Sequence, residues 1–352
     1  MFVKSLTLKN YRNHISRSFT FRPGINVLYG ENGVGKTNVI ESIYYLSLGR
    51  SFKNVDVEDL ITTGQDYGSI NSKVQIGELT REIDVGFYKN QRTIQINKKP
   101  IKKLSELLKT INVILFEPKD VSLFIGSPKR RRDFLDITLS KCDEMYLSNI
   151  TQYEKVLKER NEVLKAPKID EVLLNTTTEM LIKLAEPIIK IRTAYLKDIN
   201  DILIKITRAL TGTREDVEII YHPFVEWDEN YEINAKNAFN RALEADLKYK
   251  ATSIGIHRED FSIKLFSKDI ATFGSQGENR MMALALKLSP YFLEKDKDKK
   301  PIVVLDDVMS ELDENHQNNL VELLRKFDQV FITATKLVIA GASHYEIKEI
   351  KY

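Results

Sequence analysis

Across roughly the first 120 residues, apolar and polar positions alternate in short runs, the period-two pattern of half-buried strands. Six such runs stand between turn residues: FVKSLTL (2–8), SFTF (18–21), INVLY (25–29), SINSKVQI (69–76), EIDVGFY (82–88) and RTIQIN (92–97). From Pro128 to about Gly212 the period lengthens. Leu173, Leu174, Met180, Leu181, Leu184 and Ile188 recur at helical spacing among charged residues, which predicts long amphipathic helices. Ala166-Pro167 predicts a turn between two of them, and Glu186-Pro187 a break or kink, because an interior proline removes a helix hydrogen bond. Beyond Phe261 strand and helix alternate: FSIKLF (261–266), a helix after Gly277, a strand at Pro301–Val308, a helix from Glu314, a strand at Gln329–Thr335 and a last strand near 344–350. This order predicts an α/β domain assembled from both chain ends and interrupted by a helical lobe. The expected parts are 1–122, the lobe at 123–250, and 251–352.

The chain has 352 residues with 53 basic against 50 acidic side chains, a net charge of only +3, so a polyanion site has to be sought in local charge. Cys142 is the only cysteine and the five histidines are scattered, which argues against a disulfide framework or a Cys/His metal site and for a reducing cytoplasm. No stretch approaches the roughly 18 apolar residues of a spanning helix, and the start lacks the apolar core of an export signal. A membrane protein is not expected. Cys142 and the pair Met281-Met282 read as packing residues.

Candidate chemistry begins at Tyr29–Asn38 (YGENGVGKTN), which fits G-x-x-x-x-G-K-[ST] between an apolar strand and a helical segment. Gly30, Gly33 and Gly35 allow the backbone to approach a phosphate, so successive N–H groups and the helix N-terminus face the anion. The run Gly30, Glu31, Asn32, Gly33, Val34, Gly35, Lys36, Thr37 and Asn38 is therefore the expected ATP-binding segment. Lys36 would neutralise the β and γ oxygens and the Thr37 hydroxyl would bind Mg²⁺. The plainer reading is a glycine turn before an ordinary helix. Far along the chain, PIVVLDD (301–307) is an apolar strand ending in two acids. Asp306 suits the Mg²⁺ and Asp307 the polarisation of an attacking water, while a helix cap is the alternative use of such acids.

FGSQGENR (273–280) sets a serine and glycines at a helix start. It resembles the signature motif of the ABC superfamily, with Ser275 and Gly277 in the serine and second-glycine places, and Ser310–Asp313 (SELD) resembles that superfamily's D-loop. The resemblance implies that Ser275 reaches the γ-phosphate held by a second copy, hence an ATP-dependent homodimer with two shared sites. Lys36, Ser275 and Asp307 are then the expected catalytic residues. A soluble ATPase subunit of an ABC-type transporter is the rival reading. A nucleoside kinase fits the signature and SELD stretches less well.

Seven stretches narrow the resemblance: LKNYRN (8–13), the phosphate loop, LGRSF (48–52), FEPKD (116–120) with GSP (126–128) and RRDFLD (131–136), GIHREDF (255–261), FGSQGENR, and LDDVMSELD (305–313). Together they resemble the RecF family of bacterial recombination mediators over essentially the whole length. That resemblance implies an ABC/SMC-like P-loop ATPase head with an inserted helical lobe. It also implies a clamp that dimerises on ATP, binds double-stranded and gapped DNA, and acts with RecR and RecO in loading RecA. Ile256 and Glu259 depart from the family's usual proline and aspartate. Asp307 stands where most ABC ATPases carry glutamate, and its shorter side chain predicts slow turnover; the switch histidine is not evident after the strand Gln329–Thr335, where Thr333 or Thr335 is expected near its place. Arg50 is expected beside the phosphates. For DNA, two basic clusters stand out: Lys89, Arg92, Lys98, Lys99, Lys102 and Lys103 in an acid-free hairpin, and Lys129, Arg130 and Arg131 at the foot of the lobe. Such blocks attract phosphates by counterion release, and their plainer reading is a solvated surface.

Overall fold

The structure, a computed structural model, describes residues 1–213 and 216–348. It divides into two compact units, Met1–Val121 with Lys205–Arg214 and Met281–Tyr352, and Ser122–Ile204 with Glu215–Arg280.

The first unit holds two sheets. In the antiparallel sheet the strands lie in the order His14–Thr20, Phe2–Tyr11, Tyr67–Ile76, Leu79–Tyr88, Gln91–Ile96 and Lys99–Pro100. Alternation along Phe2–Tyr11 slips at an irregularity between Val3 and Ser5 and again between Leu8 and Tyr11, so that Val3, Leu6, Leu8 and Tyr11 are all buried. The second sheet is wholly parallel, in the order Ser343–Glu346, Gly24–Tyr29, Gln329–Ala334, Ile302–Leu305 and Val113–Phe116. Ile302–Leu305 and Gln329–Ala334 at its centre are buried at every position because both faces are covered. The helix Lys36–Leu48 contributes Val39, Ile40, Ile43 and Leu46 to one core shared with Leu6 and Val85 of the antiparallel sheet and Leu28, Val304 and Phe331 of the parallel one. A last strand is observed at Ser343–Glu346, and positions 349 and 350 of the expected strand lie outside the described residues.

The second unit contains the helices Pro128–Cys142, Glu144–Lys165 and Tyr231–Tyr249, most of the helix Glu171–Thr211, and an antiparallel sheet of Lys268–Asp269, Asp260–Leu265 and Val217–His222. Ala166 caps the second helix, as its proline neighbour required. Of the break or kink expected at Pro187, the break is not there: the helix runs through it for 41 residues. Leu181, Ile182, Ala185, Ile188 and Ile189 on either side are buried in the lobe core, and that packing outweighs one missing hydrogen bond. The observed division also departs from the expected boundary at 250/251. Residues 251–280 belong with the lobe, because the strand Asp260–Leu265 pairs with Val217–His222. Met281 and Met282 are buried, whereas Cys142 is exposed at a helix end rather than packed.

Candidate functional site

Three parallel strands end within two residues of one another: Ala334 is in register with Tyr29, and Leu305 with Ile332. The phosphate loop leaves the first strand, Asp306 and Asp307 follow the second, and Thr333 stands near the end of the third. These are the carboxyl ends of a parallel sheet, where α/β folds place their ligands. Asn32, Gly33, Gly35, Lys36, Thr37, Asn38, Asp306, Asp307 and Thr333 line one cavity of about 200 Å³.

Gly33 and Gly35 take φ values of +83° and +101°, which only glycine adopts without strain, and a Cβ at Gly33 would meet nothing within 4 Å. Lys36 Nζ donates to the Gly30 and Glu31 carbonyls, both at 2.7 Å, which leaves one of its three protons for a ligand. Burial lowers its pKa, against the pull of Asp307 and Asp306. Thr37 Oγ1 donates to Asp306 Oδ1 at 3.0 Å, across 269 positions of sequence. Thr333 Oγ1 donates to the same oxygen at 2.7 Å and accepts from the Asp307 N–H at 2.9 Å. Burial raises the Asp306 pKa, and the two hydroxyl bonds and Lys53 oppose it. Asp307 is exposed with a left-handed φ of 49°, so its backbone bond to Thr333 helps hold a strained residue in place.

Glu41, wholly buried on the same helix, takes both Nε and Nη2 of Arg12, the Ser51 hydroxyl and, at 3.7 Å, Lys53. Arg50 follows the helix cap Gly49, is exposed, and does not line the cavity; Lys53 is the cation of this segment whose charge acts on Asp306. Lys53 belongs to no local pattern that sequence reasoning assigns to phosphate, whereas Thr333 is one of the two threonines expected near the switch position, and its hydroxyl reaches both acids.

The signature stretch lies in the second unit. Ser275 and Glu278 form a reciprocal cap: Ser275 N–H donates to Glu278 Oε2 at 2.7 Å and Glu278 N–H to Ser275 Oγ at 3.2 Å. The capping use of this serine is therefore real. Ser275 and Gly277 are nonetheless exposed, with open space where a Gly277 side chain would stand.

The basic residues separate into two kinds. Lys89, Lys98, Lys99, Lys102, Lys103 and Lys129 are exposed. Arg92 and Arg130 are exposed as well but are engaged: Arg92 reaches the Gly49 carbonyl at the end of the helix that Lys36 begins, where a cation also suits the helix dipole. Arg130 bonds Ser122. Arg131 is buried and fully used: Nε and Nη2 bond the two oxygens of Asp260 at 2.7 and 2.8 Å, and Nη1 bonds the Leu123, Phe124 and Gly126 carbonyls. It is a structural residue rather than a DNA contact. GIHREDF, read as a family stretch, serves the same scaffold. Glu259 receives buried Arg192 at 2.6 Å and Tyr221, and Asp260 receives Arg131.

A phosphate loop whose helix is clasped between a parallel and an antiparallel sheet is the plan of an ATPase head of the ABC/SMC type. Residues 2–345 match a family profile described as the RecF/RecN/SMC N terminal domain. Solved Smc head structures share the fold, one from Pyrococcus furiosus with TM-score 0.59 at 17% identity over 99% of this chain and 94% of that one. Within that class the likeness is much stronger to one branch. The DNA replication and repair protein RecF of Lachnoclostridium phytofermentans is 35% identical over 96% of this chain and 93% of its own length. That of Bacillus cereus (strain AH820) is 34% identical over 100% and 96%. A structure of the recombination mediator protein RecF-ATPrS in the RecFOR pathway superposes with TM-score 0.90 at 33% identity, covering 99% and 96% of the two chains. The chain belongs to the RecF family. Among the described residues no helix is long and apolar enough to cross a membrane.

Proposed function

We propose that this protein binds ATP with Mg²⁺ in the loop cavity and hydrolyses it slowly, as a switch for DNA binding in replication and repair. The observation that carries the reading is the convergence of Lys36, Thr37, Asp306 and Thr333 at the ends of three strands. The donor set fits the ligand. Thr37 and Asp306 present hard oxygens 3.0 Å apart, the kind Mg²⁺ prefers, and the glycines leave room at the loop. At about 200 Å³ the cavity is smaller than the roughly 300–1,000 Å³ that encloses a whole drug-sized ligand, which suits the phosphate end of a nucleotide. When bound, the metal would supply charge neutralisation between the phosphate oxygens. Lys36 holds the phosphates, and Asp307, on the exposed side, orients and deprotonates water. An aspartate, one methylene shorter than glutamate, does so less well, which is why turnover is slow.

Ser275 and Gly277 are assigned to the γ-phosphate bound by a second copy, making ATP part of a homodimer interface. The exposed lysines of the hairpin 89–103, together with Lys129, are assigned to the DNA backbone, and gapped duplex is the substrate class. RecR, with RecO and the loading of RecA, is the partner system, by analogy with the relatives of the RecFOR pathway. Light scattering at fixed protein concentration tests the assembly: the mass should double with ATP and not with ADP, and Ser275→Arg should bind ATP without dimerising. A mass unchanged by ATP overturns the composite site. Retention on gapped DNA, compared with and without ATP and with added RecR, tests the rest.

A further inference from the structure

The turn joining the first two strands braces the phosphate loop from outside. Asn10 and Arg12 adopt left-handed φ values of 46° and 54°, costly for residues with a side chain. Their surroundings hold them there: Arg12 N–H donates to the Leu60 carbonyl at 2.8 Å, Arg12 Nη1 to the Asp59 carbonyl at 3.0 Å, and the rest of the guanidinium to buried Glu41. The turn therefore presents Asn13 and His14 in one fixed position. A Cβ built on Gly35 would collide with the Asn13 amide and the His14 ring, so turn and loop are in direct contact.

A directed relay crosses that contact. Lys53 Nζ donates to Asn38 Oδ1 at 3.0 Å, Asn38 Nδ2 to Asn13 Oδ1 at 2.9 Å, and Asn13 Nδ2 to the Gly33 carbonyl at 3.3 Å. An ammonium can only donate, so Lys53 dictates the orientation of both amides after it, and its charge polarises the chain. In a trans peptide the carbonyl and the next N–H point to opposite sides. Drawing the Gly33 carbonyl toward Asn13 thus turns the Val34 N–H away from it, and the 3.1 Å contact of His14 Nε2 with the Gly35 carbonyl does the same for the Lys36 N–H.

We propose that Asn13 is a positioning residue for the nucleotide: through the Lys53–Asn38–Asn13 relay it orients the Gly33–Val34 peptide so that its amide meets a phosphate. The inference rests on the loop being the ATP site. Calorimetry with ATP, steady-state hydrolysis and urea unfolding of the nucleotide-free protein test it together. Asn13→Ala should weaken ATP binding roughly tenfold, the worth of a hydrogen bond to a charged group, with kcat at saturation within about twofold, because the amide meets the phosphate in ground and transition states alike. Asn13→Asp keeps the size and the acceptor for Asn38 but cannot donate to Gly33, so it should lose at least as much. Wild-type affinity in Asn13→Asp, or a loss matched by equal destabilisation of the nucleotide-free protein, overturns the proposal. Lys36→Met separates the two levels. If it also binds ATP normally, the loop is not the site; if it does not bind while the Asn13 variants do, the positioning role alone is wrong.

Discussion

Thr333→Val preserves the shape of a side chain only 2% exposed and deletes one hydroxyl. That hydroxyl donates to Asp306 Oδ1 and accepts from the Asp307 N–H. A hydrogen bond to a carboxylate contributes about 1.5–3 kcal/mol, and the orphaned N–H adds about 1 kcal/mol, the low end of that cost, because Asp307 is exposed and water can reach it. The expected loss at pH 8 is about 3 kcal/mol, a large share of the roughly 5–15 kcal/mol that holds a protein together. The sign with pH follows from Asp306. Burial raises its pKa above the ordinary 3.8, so the folded state prefers the protonated acid, and stability declines as pH rises through the folded pKa. Since the Thr333 bond opposes that rise, its deletion should cost more at pH 8 than at acid pH. Urea unfolding followed by circular dichroism at both pH values measures this, and Thr333→Ser should recover most of the loss. Turnover should fall as well, because the same hydroxyl anchors Asp307 at its left-handed φ. Wild-type stability of Thr333→Val at pH 8, or a loss in Thr333→Ser as large as in Thr333→Val, refutes the reasoning.

Asp307→Asn should bind ATP within about twofold of wild type and hydrolyse it on the order of 100-fold more slowly, as expected for removal of a general base; unaltered turnover would move the base elsewhere. Lys98→Ala with Lys99→Ala should weaken duplex DNA binding and lower the salt dependence by about two phosphate contacts, whereas Arg131→Met should cost about 3 kcal/mol of stability by stranding Asp260 and leave the salt slope of the folded protein unchanged. An unchanged slope in the lysine variant would remove the hairpin from the DNA surface. His14 and His257 are both pushed down to about 4 by burial, so each is neutral when folded and takes a proton on unfolding below its ordinary 6.5. Stability should therefore fall as pH drops from 6.5 toward 4, and His14→Gln should flatten part of that limb; an unfolding profile already flat in the wild type contradicts it.

What is local in this protein was legible from the chain alone. The phosphate loop, the apolar strand ending in two acids, the serine at a helix start and the period-two strands each occupy a few consecutive residues. Backbone conformation and burial periodicity are set over that range. The α/β head interrupted by a helical lobe followed from the order of those patterns. Convergence was decided elsewhere. Arg131 read as a surface cation, yet it is buried against Asp260 across 129 positions, and Arg92, though exposed, also meets the end of a helix 43 positions earlier. Pro187 read as a break or kink, and lobe packing carried the helix through it without a break. Asn13 falls in a family stretch and Thr333 near the expected switch position, but neither reading named their contacts; the register of three parallel strands and a strained turn bring them to the acids and the loop. A sequence specifies which side chains are polar and which way each short element faces, but the partner that satisfies a buried charge or a loop carbonyl is chosen only when distant elements pack, because leaving such a group unpaired costs more than any local preference supplies.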